Sequence, residues 1–150
     1  MLKKLGYEHV LEAYDGSDAV RTMEKLISKS AVEGWQGMVD VVLMDLWMPF
    51  MDGYEATERI LSMEYGTVGE EDEEEEEVVV GSVGHGQMRL NRGPPTILAV
   101  TADVTDDALK RAEEVGMKGF LSKPYKLRDL QKLILEYCAR LPPSLASGLR

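Results

Sequence analysis

Three short apolar runs, separated by stretches of helical periodicity, each lead into a polar residue, and this repetition constrains the fold more than any other feature. Val39 to Met44 is largely apolar and β-branched and leads into Asp45. Ile97 to Val100 repeats that character and leads into Thr101, and the shorter run from Gly119 to Ser122 leads into Lys123. Runs with little polar alternation are expected of strands that are covered on both faces. Strands alternating with helices predict a parallel sheet with helices on both sides.

The intervening segments read as those helices. Tyr54, Thr57, Ile60 and Leu61 mark a helix starting near Gly53. Thr105 with Asp106 and Asp107 resembles a helix start, and Ala108, Ala112 and Val115 supply its buried stripe before Gly116 ends it. Leu127, Leu130, Ile134 and Cys138 line a last helix that Pro142 and Pro143 terminate. Ahead of the first secure strand, His9 to Tyr14 is predicted as a further short strand. Asp15-Gly16-Ser17 then supplies a turn and cap, and Ala19, Met23 and Ile27 give one face of a helix from about Ser17 to Ser30. Leu2 and Leu5 look like the last turn of a helix closed by Gly6.

A chain of 150 residues holds one domain with a real core. The expected layout is a compact unit over 1–141 interrupted by a disordered acidic insertion at about 66–95, with a flexible tail over 142–150. The formal charge of −10 is concentrated in that insertion, because residues 70–77 are eight consecutive acids whose removal leaves −2. A balanced remainder argues against nucleic-acid binding through a basic face. Cys138 is the only cysteine, which rules out an intrachain disulfide and fits a reducing, cytoplasmic setting. No stretch approaches the roughly twenty apolar residues of a membrane span.

In an open parallel sheet, ligands bind at the carboxyl ends of the strands, where Asp45, Thr101 and Lys123 would converge. Asp45 can attack a phosphoryl group to form an acyl phosphate. Lys123 can neutralise charge on the transferred group, and the Thr101 hydroxyl can donate to one of its oxygens. Such chemistry calls for Mg²⁺, which takes oxygen ligands in octahedral geometry. Asp45 and a backbone carbonyl in the following loop are candidate ligands.

The blocks that carry these residues are similar to a known family. Leu43 to Pro49 with Met51-Asp52-Gly53, then Ala99-Val100-Thr101-Ala102, then Phe120-Leu121-Ser122-Lys123-Pro124, resemble in order the receiver domain of two-component response regulators, of the kind fused to hybrid histidine kinases. The resemblance runs from about Leu2 to Ala139 outside the insertion. It implies a flavodoxin-like, doubly wound parallel sheet of order 2-1-3-4-5. It also implies a phosphorelay role in which Asp45 accepts a phosphoryl group from the phosphohistidine of a phosphotransfer protein or kinase domain. The carbonyl of Trp47 would face Mg²⁺, Thr101 and Lys123 would contact the phosphate, Phe120 would be the switch aromatic, and Pro124 would follow a cis bond.

One departure accompanies the match. The family begins with a strand ending in two acids that supply much of the Mg²⁺ site, and this chain starts near the end of the helix that follows. Strand one and most of helix one are therefore expected to be missing, with weak or lost Mg²⁺ binding and an opened sheet. Glu8, Glu12 and Asp15 flank a different strand and do not obviously substitute. A degenerate receiver that acts as a phosphorylation-independent interaction module is the alternative. An aspartate-nucleophile phosphatase is disfavoured, because Trp47 stands where such enzymes commonly place a second aspartate. Plainer readings apply elsewhere: Asp52 as a helix cap, His9 and His85 as structural or exposed, and Met38, Met44, Met48 and Met51 as packing residues.

Overall fold

Side chains on the central strand point alternately into two separate cores, which is how a single sheet organises the chain. The computed structural model describes residues 2–33, 39–65 and 93–138. In these, β1 (Val41–Asp45), β2 (Thr96–Thr101) and β3 (Gly119–Ser122) form one parallel sheet in the order β1-β2-β3. Register pairs Leu43 with Leu98 and Asp45 with Val100, then Val100 with Leu121 and Thr101 with Ser122.

Ile97 and Ala99 face the first core, where they meet Val20 and Met23 of α1 (Gly16–Glu33), Tyr54, Ala56 and Ile60 of α2 (Gly53–Leu61), and Ala108 and Ala112 of α3 (Asp106–Glu114). Leu98 and Val100 face the second core, closed by Leu130 and Ile134 of α4 (Leu127–Tyr137), by Cys138, and by Leu5 of a 3-10 turn over Leu2–Leu5. The apolar run of β2 is thus explained by burial on both faces. Capping follows the sequence closely: Asp52 accepts from the Glu55 amide, Thr105 from the Ala108 amide, and Gly116 ends α3 with a φ of 100°.

The first strand is less well covered. Val41, Val42 and Leu43 are half-buried, whereas Ile97 to Val100 are buried, and among the described residues β1 pairs only with β2.

One expectation is corrected here. His9 to Tyr14, predicted as a strand, lies outside the sheet as irregular chain, with Leu11 at 61% and Tyr14 at 91% exposure. Strand character is a property of pairing, and a short segment with no neighbouring ladder gains nothing from the extended form. Three strands stand where the expected order, less its first, would leave four. Of the insertion expected at about 66–95, residues 66–92 lie outside the described residues, as do the Pro142-Pro143 stop and the tail over 142–150, while Pro95 is buried directly before β2.

Candidate functional site

The polar ends of the three strands meet at one edge of the sheet. Asp45 is the last residue of β1, Thr101 the last of β2, and Lys123 follows β3 directly. Lys123 Nζ donates to Asp45 Oδ2 at 2.7 Å, an ion pair whose side chains are 43% and 36% exposed. The Trp47 amide donates to Asp45 Oδ1 at 3.1 Å. Both carboxylate oxygens are therefore held by donors, while the group stays open to solvent. An acid at the end of an apolar strand is compensated by donors in this way without full desolvation.

Thr101 is fully buried, and its Oγ1 accepts from the Asp103 amide at 3.0 Å. That bond leaves the hydroxyl proton free for another acceptor. The Lys123 amide donates to the Thr101 carbonyl at 2.8 Å, so the lysine is tied to the end of β2, and the Lys123–Pro124 peptide is cis. Phe120 is half-buried on β3 against the first core, opposite Ala99.

The loop after Asp45 is bound to the same strand end. Leu46 is fully buried and its carbonyl accepts from the Gly53 amide at 3.0 Å, which folds the loop back on itself before α2 begins. At its tip, Phe50 holds a left-handed φ of 66° and is 94% exposed, a strained setting for a bulky side chain.

One participant has no sequence signal beyond its helical spacing. Tyr54, a helix marker in the sequence, is 1% exposed and touches the Trp47 ring edge-on, with centroids 6.1 Å apart at 83°. The Arg111 guanidinium lies 4.2 Å over the same ring. Burial pushes the Tyr54 phenol up, and Arg111 pulls in the opposite direction. Asp52, a cap in the sequence reading, does cap α2.

The described residues do not make a complete Mg²⁺ site. None of their His, Cys, Asp and Glu side chains gather in groups of three or more able to hold a metal ion. The ligands expected from the sequence, Asp45 and the Trp47 carbonyl, number two, and Mg²⁺ would complete its octahedron with water or further oxygens.

No model of a protein family matches the chain. Curated relatives do. The osmosensing histidine protein kinase SLN1 of Saccharomyces cerevisiae is 30% identical over 139 residues, which are 93% of this chain and 9% of that protein. Histidine kinase 3 of Arabidopsis thaliana is 32% identical over 103 residues, 65% of this chain and 9% of that one. The chain thus spans about a tenth of the length of the curated relatives it matches. Among solved structures, the receiver domain of a sensor histidine kinase from Pseudomonas aeruginosa is 27% identical, with a TM-score of 0.57. The match covers 91% of this chain and 80% of that one, which carries a magnesium ion in its active-site cleft. The receiver domain of the histidine kinase CKI1 from Arabidopsis thaliana, solved with Mg²⁺ and BeF₃⁻, is 26% identical at a TM-score of 0.62, covering 90% and 75%. The parallel α/β sheet, the order of its blocks and these likenesses agree: the chain belongs to the receiver-domain family of two-component phosphorelay proteins.

Proposed function

We propose that the chain is a phosphoacceptor module in which Asp45 takes a phosphoryl group from the phosphohistidine of a histidine phosphotransfer protein or kinase domain. The observation that carries this reading is the 2.7 Å bond from Lys123 Nζ to Asp45 Oδ2, which joins residues 78 positions apart at the carboxyl end of the sheet. An Asp45 oxygen forms the new O–P bond as the P–N bond breaks, and the departing imidazole nitrogen keeps the electron pair and takes a proton. Lys123 stays beside the transferred group as a fixed positive charge, and the Thr101 hydroxyl, at the end of the adjacent strand, donates to one of its oxygens. The role of Phe120 is to register the added charge through β3. Its only turnover is its own phosphorylation and hydrolysis, and its setting is intracellular.

Mg²⁺ is the expected helper ion, held weakly because the described residues supply so few ligands. The same shortage favours a second reading, a receiver that binds partners without being phosphorylated. Incubation with acetyl phosphate and Mg²⁺, followed by intact-mass measurement, separates the two. A gain of one phosphoryl group that Asp45→Asn abolishes supports the first reading; no gain at any Mg²⁺ concentration supports the second.

A further inference from the structure

We infer that Tyr54 is a positioning residue for Asp45, acting through Trp47 and fastened from the other side by Arg111; the inference rests on the phosphoacceptor reading of Asp45. The Trp47 amide supplies one of the two donors that fix the carboxylate, yet Trp47 itself stands in an exposed loop, with 57% of its surface open. Its ring contact with Tyr54 ties that loop to a buried side chain. An aromatic pair in this edge-to-face arrangement adds about 1 kcal/mol beyond simple burial, enough to bias a loop among its conformations.

Filling space would need only a leucine at this position. Tyr54 instead makes three directed contacts. It forms a T-shaped pair with Trp47, its face carries Arg111 of α3, and its hydroxyl donates to the Ala108 carbonyl of α3 at 3.3 Å. Arg111 also lies 3.9 Å from Asp52 Oδ2, and the other oxygen of Asp52 caps the helix on which Tyr54 stands. One ring therefore joins the loop after Asp45, the start of α2 and the exposed side of α3. A carboxylate whose plane is fixed spends a larger fraction of its time aligned for attack, so loss of the ring reduces reactivity without removing any reacting atom.

The test uses the full chain in parallel with its Tyr54→Phe, Tyr54→Leu, Trp47→Leu and Tyr54→Leu/Trp47→Leu variants. Two quantities are read: the rate of phosphorylation by acetyl phosphate with Mg²⁺, and the solvent exchange of the Trp47 amide (residue 47 in every variant) by NMR. Tyr54→Leu is expected to slow phosphorylation about fivefold and to speed that exchange about tenfold, whereas Tyr54→Phe, which keeps the ring, restores both to within about twofold. Trp47→Leu is expected to reproduce the slower rate, and the double variant to lose nothing more. Losses that add in the double variant, or a Tyr54→Leu protein that reacts and exchanges like its parent, would overturn the inference. If Tyr54→Leu fails to fold, an unchanged rate in Trp47→Leu overturns it equally. Absence of phosphorylation in the parent would refute the phosphoacceptor reading alone, since the amide exchange still decides whether Tyr54 holds the loop.

Discussion

Gly53 Cα sits against the backbone carbonyl of Asp45, so that a methyl group added there would overlap the carbonyl oxygen and reach Leu46 Cα at 3.0 Å. The atoms in the way are backbone and have no rotamer to change. Gly53→Ala must therefore part α2 from the end of β1, and is expected to lower stability by about 2 kcal/mol and to slow phosphorylation of Asp45. Urea denaturation and the acetyl phosphate reaction measure the two effects separately.

Lys123 is expected to contribute to reaction far more than to folding. Its ion pair with Asp45 is partly open to solvent, where such pairs are worth about 0–1 kcal/mol. Lys123→Met is expected to leave the urea midpoint nearly unchanged while reducing phosphorylation about tenfold to a hundredfold, in line with the loss of a charge-stabilising group. A large fall in stability would instead mark Lys123 as structural.

Tyr7 is expected to contribute to the alkaline limit of stability. Its hydroxyl is buried with no hydrogen-bond partner among the described residues. Burial pushes the phenol up to about 12, with negative charge at Cys138 and Asp40 adding to the effect. Between about pH 10 and 12 the folded chain keeps a proton that the unfolded chain releases, so stability falls as pH rises through that window. Tyr65, also raised to about 12 by burial, acts in the same direction. Tyr7→Phe is expected to gain up to about 1 kcal/mol at pH 8, by removing an unsatisfied hydroxyl, and to make the alkaline decline shallower. Urea midpoints at pH 8, 10 and 11 provide the comparison.

Hydrogen exchange is expected to rank the strands. β2 is paired on both sides and buried on both faces, while β1 is paired on one side among the described residues. Amides of β2 that bond within the sheet should outlast those of β1 by about tenfold or more. Equal protection would show that something covers the free edge of β1.

The meeting of Asp45, Thr101 and Lys123 at one sheet edge is more legible in the sequence than the scaffold around it. Strands buried on both faces require apolar side chains at every position, so the runs leading to Asp45, Thr101 and Lys123 were visible, and with them the edge of the sheet where these residues meet. Asp52, Thr105 and Gly116 were readable because capping is local. His9 to Tyr14 misled because residue character in a short segment does not show whether a neighbour is there to pair with it. Tyr54 carried the helical period and nothing more, since its relation to Trp47 and Arg111 exists only once α2 and α3 lie side by side.

Asp45 closes the strand that, among the described residues, is bonded on one side only. A group attached to Asp45 that is gripped by Lys123 and Thr101 only when β1 is docked adds its binding free energy to the docking of that strand. Chemical modification and local folding then form one linked equilibrium. In this chain a phosphoryl signal would be read first as a gain of order in β1, before any rearrangement of the helices outside it.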